Sequence, residues 1–596
     1  VFCICRCLTL CVICSSKKVK KPNIVFIVAD DLGWGDVSYH GSNQIMTPNI
    51  DMLAYQGTIL SQYITDVQGT PSRSALLTGK YPMRLGTQGI SIAAAEDRGV
   101  PHSETLLPTR LRDLGYATHL IGKWSLGKSR EHYLPTNRGF DTFYGFLDGS
   151  VDYYTYNHVE NWNDTVFYGL DFFEDLDPVE DQRGHLTNVL TTRAIELIRS
   201  HDTSTPLYLH MSHAAPHVGG GYVNLQTPED TIAVNDHIAH SARRMYAGLV
   251  TGLDKSVGNI IAALAEKEIL QDTIIIFVSD NGAAASGASR NFGSNLPLRG
   301  TKGSPWEGAV RSPAIIWHAS LAPKVWDGLF HVADWVPTII GAAGGRLNST
   351  LDGINQWSAI ADNEEPPRND ALIAMDDLEN WAAFREGDFK IIVGDVDERT
   401  SGYYGNELKT YRLPVFSYVS VLLNSEAAHV FKETLDLKLD LEIVKKVRND
   451  SDISVHGNKK EYTEFCIPTR AKGCLFNISA DPTESNDLWY SLPEIVQHMA
   501  LRLRMYWAQL NPRQHPKLDH RANPAFHNFV WFPWLENGEK VPEALQTAPS
   551  FPLKVSAGEL QYLVDLNLST FKDNLLNYID GMAAALVKSI TNIFTI

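Results

Sequence analysis

Thiols are almost missing from the body of this chain. Cys3, Cys5, Cys7, Cys11 and Cys14 crowd the N-terminus, and only Cys466 and Cys474 follow. Those two could pair, as an oxidising compartment permits. Positive charge is in deficit as well: 52 Lys and Arg against 69 Asp and Glu leave a net charge of −17. That balance argues against a nucleic-acid partner, which would show a basic field. Any anionic substrate must then be recruited by local cations, because the overall field repels it. Membrane-length apolar runs are lacking too. The N-terminal VFCICRCLTLCVICSS is too short to span, and Lys588 interrupts the last apolar run, so no membrane span is expected. No internal repeat or low-complexity tract stands out.

What is present describes a globular protein. The 596 residues are 44% hydrophobic and 20% charged, enough for two or more domains and a large core. Residues 1–20 read as a secretory signal: an apolar stretch ending in small residues before KKVKK, lacking its initiator Met. A short anchor or an error at the start of the gene model are the alternatives. Sequons at Asn163, Asn348, Asn449, Asn477 and Asn567 are candidate glycosylation sites that fit the same route. The expected location is the secretory pathway, lysosomal or extracellular.

NIVFIVA, THLIG, PLYLHMS and TIIIFVS are continuous apolar runs, each followed by a loop and then a helical pattern. Continuous runs mark strands covered on both faces, which predicts an α/β domain with a doubly wound, largely parallel sheet over 21–375. A smaller α+β domain is predicted over 376–535. Its signals are a hairpin in AAFREGDFKIIVGD turning at Gly387–Asp388, a strand in CLFNIS, and a helix in PEIVQHMALRLRMYW. Residues 536–596 form an amphipathic tail of unknown role.

Chemistry gathers where the apolar runs end. Asp30 and Asp31 follow the first, Lys123 the second, His217 the third, and Asp280 with Asn281 the fourth. Ligands bind at the C-terminal edge of open parallel sheets, so these residues should converge. Three carboxylates and an amide suit Ca²⁺ or Mg²⁺ rather than zinc. An Asp after a strand is also an ordinary helix cap, but that account does not explain two such pairs with cations between them. In QGTPSRSALLTGKYP, a helix is expected with Thr70 as N-cap, Pro71 at its first position and Gly79 at its stop. Its free N–H groups and Arg73 would favour an anion. Arg299 and Lys302 in PLRGTKGSPWEG add cations, completing a pocket for a tetrahedral oxyanion.

VADDLGWGDVSYHG, TPSRSALLTGKYP, GKW, APH, SDNG and RGTKG…WEG stand in the order and context of the type I sulfatases, which the chain resembles from about residue 22 to about 535. Within that family the resemblance is greatest to the arylsulfatase B, or N-acetylgalactosamine-4-sulfatase, group. It implies an alkaline-phosphatase-like sulfatase fold. It also implies Asp30, Asp31, Asp280 and Asn281 as calcium ligands, and Arg73, Lys123 and Lys302 on sulfate oxygens. Ser150 would be a further substrate contact and His217 a general acid or contact at the leaving oxygen.

Two positions depart from the family pattern. The family carries C-x-P-S-R, whose Cys (Ser in some bacterial members) becomes formylglycine, the nucleophile. Here the residue is Gly69, which has no side-chain carbon to oxidise. The family's GKWHLG is GKWSLG here, placing Ser125 where a His handles the nucleophile's proton, and a serine hydroxyl is no base near neutral pH. Three readings follow: a pseudoenzyme that binds sulfated small molecules or glycans, an active sulfatase using a calcium-bound water, or a structural protein without a ligand.

Overall fold

The computed structural model describes residues 21–538 apart from 43, 163–164, 288, 348–349, 406–414, 438, 452, 454–465 and 514–518. The signal reading, Asn163, Asn348, Asn567 and the tail beyond 538 lie outside the described residues.

The first unit is built on a ten-stranded mixed sheet. Its strands are β1 (Asn23–Ala29), β2 (Thr58–Ile64), β3 (Ala117–Lys123), β4 (Thr142–Phe146), then, after a separate hairpin of β5 (Asn157–Trp162) and β6 (Thr165–Leu170), β7 (Phe173–Glu174), β8 (Asp177–Pro178), β9 (Leu207–Ser212), β10 (Thr273–Ser279), β11 (Ala314–Trp317) and β12 (Lys324–His331). The order is β12-β2-β11-β10-β1-β9-β3-β4-β7-β8. The centre is parallel, with β1 between β10 and β9 and β3 beside β9. Antiparallel pairing enters with β11 and with β7 and β8.

Alternation along β1 explains its unbroken apolar sequence. Val25, Ile27 and Ala29 face one core with the helices Leu186–Ser200 and Ser241–Glu266. Ile24, Phe26 and Val28 face a second core with the helices Gly69–Thr78 and Trp335–Ala342. A strand covered on both faces needs apolar residues at every position, and each buried Val, Ile or Phe adds roughly 1.5–3 kcal/mol.

The second sheet is antiparallel: β13 (Asp370–Asp376), β14 (Trp381–Glu386), β15 (Phe389–Gly394) and β16 (Cys474–Asn477), in that order. Gly387–Asp388 makes the turn of the expected hairpin, with Glu386 opposite Phe389 and Gly387 at φ +55°. One face packs on the helix Pro493–Trp507 and the other on Trp306, Ala309 and Val310 of the first unit. Cys466 and Cys474 form a disulfide with 6.0 Å between Cα atoms. Asn449 is exposed, and Asn477 is half-buried with its Oδ1 accepting from the Ala480 N–H at 3.0 Å.

Two features differ from the sequence-based division at 375/376. β13 pairs with β14, so the second sheet begins at Asp370. The helices Val415–Leu423, Glu426–Leu435 and Leu441–Ser451 leave that sheet and pack on the first unit. Phe431 stacks on Trp317 at 5.0 Å, and the Tyr418 hydroxyl donates to Asp51 at 2.9 Å.

The two sheets meet at a fully buried charge cluster. Lys390 of β15 lies 2.9 Å from both Glu307 and Glu484, and the Glu307 N–H donates to Glu484 Oε2 at 2.7 Å. Burial first, then the neighbouring Glu307 charge, push Glu484 up to about 7 against the pull of Lys390, while Lys390, Arg311 and Arg385 hold Glu307 down despite its burial. Arg299 also faces Glu484, donating to its carbonyl. A carboxyl whose folded pKa lies above its unfolded value binds its proton more tightly when folded. The linked stability is complete below the unfolded pKa and lost as pH rises through the folded one, at about 1.4 kcal/mol per pH unit. Denaturant midpoints are therefore expected to fall between pH 5 and pH 8, and Glu484→Gln should lessen that slope, leaving the part due to Asp171, pushed up by burial to about 7, and to Asp66 and Asp254, pushed up to about 8. An unchanged slope in the variant would assign the effect elsewhere.

Candidate active site

Register brings the strand ends level. Ala29 lies opposite Ser279, Val28 opposite Ser212, and Gly122 opposite Ser212. The residues that follow these ends therefore emerge at one edge: Asp30 and Asp31 after β1, Asp280 and Asn281 after β10, His217 beyond β9, and Lys123 as the last residue of β3. Asp31 takes φ 62°, a left-handed conformation that is strained for a residue with a Cβ and tends to occur at functional sites. Its N–H donates to Asp280 Oδ1 at 3.2 Å, and its carbonyl accepts from Asn291 Nδ2 at 3.0 Å.

The carboxylates and cations interdigitate. Lys123 Nζ is 2.7 Å from Asp30 Oδ2, Lys302 Nζ is 2.7 Å from Asp31 Oδ1, and Arg73 grips Asp280 Oδ2 through Nε and Nη2 at 2.9 Å each. Asn281 Nδ2 donates to Asp31 Oδ1 at 2.6 Å. His217 Nε2 stands 3.6 Å from Asp31 Oδ2, while its Nδ1 lies 2.6 Å from the Val218 carbonyl. A carbonyl only accepts, so Nδ1 carries a proton and Nε2 is the nitrogen turned toward the cluster. Arg73 and Lys123 are deeply buried, whereas Lys302 and His217 keep 10% and 12% of their side-chain surface exposed and mark the mouth.

Burial and charge act in opposition here. Burial pushes Lys123 down against the attraction of Asp30, and it pushes His217 down with help from Lys302. For Lys302, burial is outweighed by Asp31, Asp30 and Asp280, and the ammonium is held above its ordinary value. For Asp30, burial is outweighed by Lys123, His217 and Arg73, and the carboxyl is held below it.

Some buried oxygen valence is left over. Asp30 Oδ1 and Asn281 Oδ1 are inaccessible to solvent and have no hydrogen-bond partner among the described residues. One ligand atom from each of Asp30, Asp31 and His217 falls within 4.8 Å of the others. Orphaned buried oxygens are costly, and a hard cation is the partner that oxygen donors of this kind fit.

The helix Gly69–Thr78 points its N-terminus at this cluster. Its N-cap is Gln68, without a side-chain cap bond, and Gly79 ends it at φ 74°. Thr70 therefore lies inside the first turn and is not the cap expected from sequence. Its hydroxyl instead donates to the Ser125 carbonyl at 2.9 Å and lies 3.1 Å from Ser125 Oγ. Gly69 does not occupy the left-handed region. A Cβ built on it would meet Asp280 Oδ2 at 3.0 Å, Lys123 Nζ at 3.6 Å and Arg73 Nε at 3.8 Å. The backbone conformation does not demand glycine here, and any side chain would project into the charged cluster.

Arg299 corrects another expectation. It turns away from the cluster, stacks over Trp306 at 3.5 Å, and donates to the carbonyls of Ser401 and Cys466 at 2.6 and 2.9 Å. Ser150 does not join the ion-pair cluster: its contacts are with the loops beside it, where its carbonyl accepts from His158 Nδ1 at 2.6 Å. Ser212, which accepts from Arg73 Nη1, and Asn291 belong to the site although the sequence does not single them out. Ser212 could have been found as the last residue of an apolar run, but Asn291 sits in a loop with no periodicity.

Fold and site together place a buried cluster of interleaved carboxylates and cations, beside the start of the helix Gly69–Thr78, at the C-terminal edge of the parallel centre of the sheet. The family model described as Sulfatase matches residues 22–345. The chain is 32% identical over 530 residues to arylsulfatase J of Mus musculus, covering 87% of this chain and 81% of that protein. It is 29% identical over 555 residues to N-acetylgalactosamine-6-sulfatase of Sus scrofa, covering 90% and 94%. Among solved structures, the crystal structure of Ps i-CgsB aligns with a TM-score of 0.63 at 25% identity, over 83% of this chain and 94% of that one. The same protein in complex with k-i-k-neocarrahexaose aligns with the same score and identity, covering 85% and 98%. The chain belongs to the sulfatase family.

Proposed function

We propose that this protein binds sulfate esters, of aryl or sulfated N-acetylgalactosamine type as in the arylsulfatase B group, with turnover lost or strongly impaired. The observation that carries the reading is the missing Cβ of Gly69, at the centre of a cluster that keeps its carboxylates and cations. Arg73, Lys123 and Lys302 would each donate to an ester oxygen, the first-turn N–H groups of the motif helix would add partial positive charge, and His217 Nε2 would face the bridging oxygen. The two positions that the family uses to supply and activate the attacking oxygen cannot do so in that way here, because Gly69 has no side chain and Ser125 is no base.

Asp30, Asp31, Asp280 and Asn281 would hold Ca²⁺ or Mg²⁺, which would supply charge that polarises the bound sulfuryl group. The three carboxylates already balance three cations, so a dication makes the pocket net cationic, as an anionic ligand needs in a chain of net charge −17. The secretory location is supported by the Cys466–Cys474 disulfide. No helix among the described residues is long and apolar enough to cross a membrane.

The test is calcium titration of EDTA-treated protein with thermal unfolding as readout, followed by inorganic sulfate and a 4-nitrophenyl sulfate assay. Calcium should stabilise by about 2.7 kcal/mol at a hundredfold excess over Kd, and Asp31→Asn should abolish the shift. Absence of any calcium or sulfate effect would remove the binding reading. Turnover by the unaltered chain at the rate of an intact sulfatase would remove the pseudoenzyme reading.

A further inference from the structure

Along the loop that follows His217 lies an open cleft of about 380 Å³ whose wall includes Tyr222, Val223, Tyr168, Thr155, Asn157 and Asp152. It is joined to the charged cluster through the His217 loop. Tyr153, next to Asp152, donates its hydroxyl to the His217 carbonyl at 2.9 Å, and the Gly220 carbonyl of the same loop accepts from Val159 of β5 at 2.9 Å. Val159 in turn stands opposite Tyr168 of β6. The wall that carries the tyrosines is thus held to the turn that aims His217.

Two properties define what this cleft would take. Tyr222 and Tyr168 are 77% and 42% exposed, which offers two aromatic side chains to a partner. Rigid aromatic side chains beside amide and hydroxyl groups suit a ligand with apolar ring faces and equatorial hydroxyls. Charge narrows the choice. Asp152 is the charged residue lining the cleft, and no Lys, Arg or His lines it among the described residues. Its carboxylate is already engaged by the N–H groups of Tyr154 and Thr155 and by Gln226 Nε2, at 2.9–3.0 Å. It stands as a fixed negative charge that disfavours a sulfate there.

We infer that this cleft is a sugar subsite that holds unsulfated residues of a glycan whose neighbouring sulfated residue sits in the oxyanion pocket. The inference rests on the binding reading above and narrows its substrate class from any sulfate ester to an oligosaccharide with a neutral residue next to the sulfated one. An aryl sulfate or a monosaccharide would reach the pocket but leave the cleft empty.

The experiment is calorimetric titration of the full protein in calcium with three probes: 4-nitrophenyl sulfate, N-acetylgalactosamine 4-sulfate, and a tetrasaccharide sulfated only on its terminal N-acetylgalactosamine. The tetrasaccharide is expected to bind about tenfold more tightly than the monosaccharide, as truncation of an aromatic anchor commonly costs. Tyr222→Ala and Tyr168→Ala should remove that gain while leaving the affinities for both small probes unchanged. Equal affinity for monosaccharide and tetrasaccharide, or a gain insensitive to both tyrosines, overturns the inference. If neither small probe binds, the pocket reading fails by itself. Saturation-transfer NMR with the desulfated tetrasaccharide then decides the cleft separately. A ligand signal that disappears in Tyr222→Ala supports it, and no signal from the unaltered protein, or one that persists in the variant, overturns it.

Discussion

Gly69→Cys combined with Ser125→His, produced together with the maturation enzyme that oxidises family cysteines, is expected to hydrolyse 4-nitrophenyl sulfate at least about a thousandfold faster than the chain as it stands. Removal of a covalent nucleophile or its base costs several powers of ten, and the residue left behind comes from positioning and electrostatics. A Cβ at Gly69 lies 3.0–3.8 Å from Asp280, Lys123 and Arg73 on an ordinary helical backbone, so its accommodation requires the Asp280 carboxylate, held by Arg73, to give by a few tenths of an ångström. Ser125 sits at φ 57°, a left-handed position that His adopts more readily than most residues, and its Oγ is 3.1 Å from the Thr70 hydroxyl, one residue beyond Gly69.

Controls separate the contributions. Gly69→Ala adds the carbon without an oxygen, so it should stay inactive while remaining folded. Gly69→Cys alone should recover part of the rate, and Ser125→His alone none. Equal rates at the level of an intact sulfatase would show that the pocket has another source of attacking oxygen, and equal rates near zero would deny that these two positions are what turnover lacks.

The second large effect is on stability. Lys390→Ala is expected to destabilise the protein by about 3–5 kcal/mol, the usual consequence of removing one partner from a buried ion pair. Lys390 has no exposed surface and sits between Glu307 and Glu484 at 2.9 Å. Its loss removes the cation shared by Glu307 and Glu484 and leaves Glu307 the more distant Arg311, at 4.0 Å. The loop that carries Lys302 is fastened at both ends of the same region, by Arg299 to Ser401 and Cys466 and by Glu307 to Lys390. The variant should therefore also weaken anion binding at Lys302, whereas Glu307→Gln, Lys390→Met, Glu484→Gln together should restore much of the stability. Denaturant unfolding and sulfate titration read the two results, and a loss below about 1 kcal/mol for Lys390→Ala would deny the cluster its role.

Legibility varies with the physics. NIVFIVA and TIIIFVS are readable as strands because burial on both faces removes polar residues from the run, and their following acids mark the ligand-binding edge. The helix Pro493–Trp507 matches its expected span because Pro defines its start and periodicity does the rest. The helices over 415–451 are misplaced by the sequence-based division. An amphipathic pattern shows that one face is buried but not which surface buries it, and these pack on Trp317 and Asp51, far back in the chain. Arg299 and Lys302 look equivalent in PLRGTKG, yet one stacks on Trp306 and the other pairs with Asp31.

What the sequence by itself determined is the chemistry that no folding can alter: glycine at 69 has no side-chain carbon to oxidise, and serine at 125 has no basic side-chain nitrogen. Residue identity is covalent, so those facts hold in any conformation. Only the tertiary structure decided which cation meets which carboxylate, that a Cβ at Gly69 would face Asp280, and that Asp30 and Asn281 each retain a buried oxygen without a partner among the described residues. These depend on strand register and loop path, which arise from contacts between segments hundreds of residues apart.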